Sequence, residues 1–214
     1  MIYYHFSEIK INDFNEKNVE DKYNEGFVFT RLGRGVMQQV RSVRVPLSAF
    51  EPSSENRRIL KKHEHIVTSF YPHDNFLYDW HVGKMAQTFY RRKFGPEVMS
   101  ANKIREMCTD GKKSNMNGVL VFTSLGGGAV GYCLMYTTPH LFHYAYPFYD
   151  LQLVQQFPSL GMAMMTKAVV WAKEVGKEYI YLGSIQNEKS LYKFQFKEVE
   201  WFDGHTWRSD KPKI

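Results

Sequence analysis

The chain has 214 residues, 43% of them hydrophobic, and a formal charge of +6. That is enough apolar material for one large domain, or a compact domain carrying a small lobe, without disulfide staples. Cys108 and Cys133 stand far apart and form no Cys-x-x-Cys pair, so they suggest neither a disulfide framework nor a thiolate metal site and point to a reducing cytoplasm; no apolar run reaches membrane-spanning length, and the first residues lack the basic and apolar regions of a signal peptide.

Residues 1–25 read as a strand followed by a short helix ending near Gly26. Phe27 to Leu32 and Val36 to Val45 then read as the two strands of a hairpin around Gly33-Arg34-Gly35, closed by Val45-Pro46. From Glu51 the pattern changes to helix, with Ser53 or Ser54 as cap, acidic residues near the start and basic ones towards the end. The charge is concentrated here. Between Arg31 and Lys62 there are eight basic residues (Arg31, Arg34, Arg41, Arg44, Arg57, Arg58, Lys61, Lys62) against Glu51 and Glu55, and the rest of the chain is neutral on balance. Such a local excess is the electrostatic footprint of a phosphate-backbone partner, and is also met in plain solvated surfaces.

His63, His65 and His73 raise the question of zinc, but no cysteine or well-placed carboxylate completes a four-ligand set, so no metal is expected. Helices are expected over Phe76 to Tyr90 and Pro96 to Cys108, with the basic triple Arg91-Arg92-Lys93 between them, suited to RNA or to a solvated helix end. At Asn117 the period shifts to two. Strands are predicted for Val119 to Thr123, Val130 to Thr138 and Leu141 to Phe148, the first two joined by Leu125-Gly126-Gly127-Gly128.

Leu160, Met164, Ala168, Trp171 and Val175 then fall at helical spacing, Gly176 suits a left-handed cap, and Tyr179 to Gly183 reads as a strand. Free amides at the start of this helix, in Ser159-Leu160-Gly161, suit a phosphate or a developing oxyanion. Tyr192-Lys193 falls on a short helix, and Val199 to Trp207 closes as a hairpin around Asp203-Gly204. This order of elements is that of the acetyltransferase-like (GNAT-type) fold, an α+β mixed sheet with flanking helices in which a central parallel pair splays to admit a donor. The expected division is a small basic N-terminal lobe, residues 1–62, and a catalytic domain, residues 63–214.

Several short matches, in order and at the right spacing, carry a resemblance. Ser159-Leu160-Gly161, Trp171-Ala172-Lys173, Tyr179 to Gly183, Lys189-Ser190-Leu191-Tyr192-Lys193 and Phe196 resemble the S-L-G, Y-L-G-Y and K-M-x-Y-K-x-x-F patterns of aminoacyl-tRNA–protein transferases, the arginyl- and leucyl/arginyl-transferases. Arg44-Val45, Phe50, Pro52-Ser53 and Arg57-Arg58 are similar to that family's R-V-x-x-x-x-F-x-P-S-R-S-x-R-R, with Ser54 in place of an arginine, and Tyr149-Asp150 corresponds to an aromatic-Asp pair ahead of S-L-G.

The resemblance implies the same fold, a cytoplasmic enzyme, and transfer of an amino acid, arginine or leucine, from charged tRNA to the N-terminal α-amine of an acceptor protein. Aminoacyl-tRNA is then the co-substrate and no cofactor is implied. Asp150 would hold or deprotonate the acceptor amine, with Tyr181 and Lys193 as further catalytic groups. Arg44, Arg57, Arg58, Ser159, Leu160, Gly161, Lys189 and Tyr192 would receive the tRNA acceptor end, the glycine by permitting close approach and the tyrosine by stacking on the terminal adenine. Plainer roles stand beside these: Tyr181 and Tyr192 as core residues, Asp150 as a turn cap. Where the family carries paired cysteines this chain has Gln38, Gln39, Val40 and Ser42, and Lys197-Glu198 follow Phe196 where the family favours proline. An acyl-CoA-dependent N-acyltransferase is an alternative, although its Arg/Gln-x-x-Gly-x-Gly/Ala pattern is not evident; a non-catalytic RNA-binding relative is another.

Overall fold

The computed structural model describes residues 4–212. In chain order they form β1 (Ser7–Lys10), α1 (Glu16–Asn24), β2 (Phe27–Phe29), β3 (Val36–Gln39), β4 (Ser42–Pro46), α2 (Ser54–Lys62), β5 (Ile66–Pro72), α3 (Trp80–Phe94), α4 (Ala101–Thr109), β6 (Gly118–Ser124), β7 (Ala129–Thr137), β8 (Leu141–Tyr149), α5 (Leu160–Glu174), β9 (Tyr179–Ser184), β10 (Glu200–Phe202) and β11 (Trp207–Arg208). Short 3-10 turns precede α3, follow β8 and occupy Glu188–Gln195.

Eight strands make one large sheet in the order β11-β10-β4-β9-β8-β7-β6-β5, and β1-β3-β2 form a small second sheet. Every pairing is antiparallel except β8 with β9. One face of the large sheet is packed by α5 and α2 over a core that includes Phe50, Phe142, Tyr144, Met164 and Ile180. The other carries α1, α3, α4 and the small sheet over Tyr23, Phe29, Ile104, Phe148 and Tyr181.

The expected second hairpin strand, Val36 to Val45, is two strands in two sheets. β3 pairs with β2, whereas β4 lies between β10 and β9 in the large sheet. The break falls between Val40 and Val43, both fully buried but in opposite cores, so the chain must cross from one sheet to the other there. The segment assigned to the N-terminal lobe therefore supplies an interior strand of the large sheet.

Caps explain the other boundaries. α2 begins in a reciprocal capping box: Ser53 Oγ accepts from the Asn56 amide and Asn56 Oδ1 accepts from the Ser53 amide, each at 3.1 Å. α3 starts at Trp80 and not at Phe76, because Asp79 caps it at the His81 amide (2.7 Å); α4 starts at Ala101 and not at Pro96, with Ser100 capping Lys103 (3.1 Å). α5 ends at Glu174, Gly176 adopts φ +78°, and Val175, expected on the apolar stripe, is exposed.

Candidate active site

The parallel pairing of β8 and β9 covers only three positions: Leu141 with Tyr179, Phe142 with Ile180, and His143 with Tyr181. Beyond His143 the strands part, β8 staying with β7 and β9 with β4. A bulge follows at once, since β8 is in register as Tyr144 with Met135 and then as Tyr146 with Leu134, leaving Ala145 unpaired. The extra residue inverts the alternation: Phe142 and Tyr144 face the α5 core, Tyr146 and Phe148 the opposite one.

Lys193 enters this opening. Its ammonium donates to the Ser184 carbonyl at 2.6 Å and lies 3.7 Å from where a Cβ on Gly183 would stand. Burial pushes its pKa down to about 7. His143, on the apposed strand, is driven down to about 3, first by burial and then by the Lys193 charge. Neutral His143 bonds Tyr23 through Nδ1 (2.9 Å), and because the Tyr23 oxygen already accepts from the Phe29 amide (3.3 Å), its O–H is the donor to the ring. Tyr144 is fully buried, and its hydroxyl has no hydrogen-bond partner among the described residues. The phenols of Tyr149 and Tyr192 are close enough to feel that of Tyr144, and all three are held above the ordinary tyrosine pKa by burial. A buried hydroxyl left without a partner is a mark of a site built for a ligand group.

The mouth is the start of α5. Ser159 sits at φ +66°, a left-handed conformation rare outside glycine, with its side chain exposed and not capping the helix. His63, buried at the end of α2, bonds the Pro158 carbonyl through Nε2 (3.0 Å) and ties α2 to this loop. Gln195 contacts the Met162 sulfur, so the turn carrying Tyr192 and Lys193 packs on the first turn of α5. The glycine has a different purpose from the one expected: a Cβ on Gly161 would stand 2.9 Å from Cε1 of Tyr149, so Gly161 seats that ring.

Lys193, Tyr192, Ser159 and Gly161 are thus brought together; Leu160 is buried, so only its backbone faces the loop. Tyr181 and Arg44 are not among them. Tyr181 is 1% exposed in the opposite core, edge-on to Tyr23 and Trp207. Arg44 is buried, its Nε bonded to Glu200 (2.7 Å), Nη1 to Asn24 (3.1 Å) and its guanidinium 3.8 Å from the Trp207 ring centroid. Both belong to a structural clamp, which removes them from the expected catalytic and RNA-contacting sets. Asp150 caps the turn after β8, accepting from the Gln152 amide at 2.8 Å, while Arg57, Arg58 and Lys189 are exposed. Arg57 also bonds the Pro52 carbonyl and Arg58 pairs with Glu55, both at 2.6 Å. Tyr144 and the bulge carry no sign in the sequence, and His63 is considered there only as a zinc ligand; its contact with Pro158, 95 residues away, has no local mark. Among the described residues no group of three potential metal ligands is assembled.

A protein named aspartate/glutamate leucyltransferase from Chromohalobacter salexigens is 24% identical over 175 residues, 81% of this chain and 70% of that protein. The chain is similar to the aspartate/glutamate leucyltransferases. One of the same name from Xylella fastidiosa is 27% identical over 184 residues, 78% of this chain and 66% of that protein. These are aminoacyl-tRNA–protein transferases, the family that the ordered motifs resemble. A solved GCN5-related glucosamine N-acetyltransferase region of a fungal β-N-acetylglucosaminidase superposes with a TM-score of 0.51 at 10% identity, covering 91% of this chain and 23% of that one, and has the same acetyltransferase-like fold. No protein-family model matches. Among the described residues no helix is long and apolar enough to cross a membrane.

Proposed function

We propose that this chain moves an amino acid, leucine, from its ester on the 3′ end of a charged tRNA to the N-terminal α-amine of a protein that begins with aspartate or glutamate. The donor and acceptor follow the names of the similar proteins. The reaction class is supported above all by Lys193, an amine buried where the parallel strands part and about half neutral at pH 7.

An aminoacyl ester is already activated, so the site needs alignment, a proton acceptor and oxyanion donors, not a covalent nucleophile. The acceptor's amine attacks the ester carbonyl and a C–N bond forms. Neutral Lys193 takes the amine's proton and returns it to the ribose oxygen as the C–O bond breaks. Tyr144 and Tyr192 supply O–H donors to the oxyanion, and the Ser159–Gly161 loop at the positive end of α5 receives the terminal phosphate. Asp150 is assigned the acceptor's ammonium before it loses its proton. Arg57, Arg58 and Lys189 guide the RNA.

Incubation with separately labelled leucyl- and arginyl-tRNA, peptides of varied first residue, and acetyl-CoA as control donor tests this. Label passing from leucyl-tRNA to peptides with an acidic first residue is the expected result. Label passing only from acetyl-CoA overturns it.

A further inference from the structure

The α3–α4 face carries a second concentration of positive charge. Residues 76–113 contain eight Lys and Arg against four Asp and Glu. Lys103 is paired with Glu106 and Lys113 with Asp110, whereas Lys84, Arg91, Arg92, Lys93 and Arg105 form no ion pair among the described residues. The two helices approach closely at Gly83, where a Cβ would stand 3.3 Å from that of Ala101 and 2.3 Å from the Tyr78 hydroxyl. Alongside this crossing lies a depression of about 460 Å³ walled by Tyr78, Trp80, Lys84, Gln87, Asn102 and Arg105.

Trp80, Lys84, Gln87 and Arg91 are spaced by four, three and four residues, so they share one face of α3, and all are exposed. Trp80, 59% exposed, lies tilted against His81 at 3.6 Å between centroids, with the Lys84 ammonium 5.4 Å from its ring. From Trp80 to Arg91 the helix rises roughly 16 Å, the run of about four to five stacked nucleotides of one strand. The far end of α3 is joined to the site through its buried face: Phe89 packs on Tyr149 at 4.7 Å, and Tyr149 in turn packs against Gly161.

We propose that this face binds the unpaired 3′ strand of the RNA donor, with a base stacked on Trp80 and phosphates on Lys84, Arg91 and Arg105, leading the ester towards the parted strands. An exposed aromatic followed by unpaired cations along one line is what a single strand requires, since every base has a face to stack and every nucleotide a charge to neutralise. The assignment rests on the donor being an RNA ester.

The test measures binding, not transfer, so the two readings fail separately. Binding of a tRNA acceptor hairpin with an unpaired 3′ tail is compared with that of the same hairpin made blunt, across a range of salt, for the wild type, Trp80→Ala, Lys84→Glu/Arg105→Glu, and Lys10→Glu/Lys17→Glu as an equal charge change elsewhere. The proposal expects Trp80→Ala to weaken binding of the tailed hairpin about tenfold and the blunt one little. It expects Lys84→Glu/Arg105→Glu to weaken binding and to reduce the salt slope by about 1.5. Equal effects of Trp80→Ala on both hairpins, or an equal loss from Lys10→Glu/Lys17→Glu, would overturn it. If RNA binds as described but the wild type transfers no amino acid, the proposed function fails and this surface stands.

Discussion

The ammonium of Lys193 donates to the backbone carbonyl of Ser184 across 2.6 Å, and among the described residues no carboxylate is paired with it. A buried amine held by one neutral acceptor favours its uncharged form, which is why its pKa falls to about 7 from the ordinary 10.5. Between those two values the unfolded chain holds a proton that the folded chain has released, so stability rises with pH across that window. Lys193→Met is expected to remove the rise and to be more stable than the wild type near pH 6, as read by urea denaturation at several pH values; parallel curves for the two proteins would contradict this.

His143 acts over the acid side. With its folded pKa near 3 and its ordinary value 6.5, it is neutral in the fold while the unfolded chain takes up a proton, so stability is lost as pH falls below about 6.5. The slope approaches about 1.4 kcal/mol per pH unit between the two values. His143→Gln is expected to flatten that limb in pH-dependent melting, and Tyr23→Phe to cost about 1–2 kcal/mol by leaving Nδ1 unpartnered.

Arginines that look alike in the sequence should separate by assay. Arg44→Ala leaves Glu200 without its partner and the Trp207 face uncovered, a loss of about 2–4 kcal/mol in stability. Arg57→Ala/Arg58→Ala, both exposed, should leave the melting temperature near that of the wild type while weakening RNA binding and reducing its salt dependence. A stable Arg44→Ala that binds RNA poorly would reverse the assignment.

Gly161→Ala should destabilise by about 1–3 kcal/mol, because the new methyl displaces the Tyr149 ring. The same change in a Tyr149→Leu background should cost much less, so that the double mutant loses less than the sum of the two single losses. Additive losses would show that the glycine serves something other than the ring.

These residues also show what a sequence conveys. The strands β6 to β9 and the helix α5 were legible because each is long and strongly periodic, so local pattern and tertiary burial agree. The division of Val36 to Val45 was not, because Val40 and Val43 carry the same apolar signal while facing different cores. Lys193 and Tyr192 were singled out by resemblance, yet nothing in the sequence says that a lysine between Tyr192 and Phe194 is 7% exposed and its tyrosine neighbour 49%. The bulge at Ala145, which turns Tyr146 and Phe148 away from the α5 core, arises from register against β7 and has no local mark. Arg44 misled for the same reason: its partner Glu200 is 156 residues away.

The most direct measurement is single-turnover transfer of labelled leucine from charged tRNA to a peptide with an acidic N-terminus, followed from pH 5.5 to 8.5 in the wild type and in Lys193→Met. The wild-type rate should rise through pH 7 and level off above it, and the variant should fall by about 10²–10⁴-fold and lose that rise while still binding the RNA. Transfer by Lys193→Met at the wild-type rate, with the same pH profile, would contradict the account.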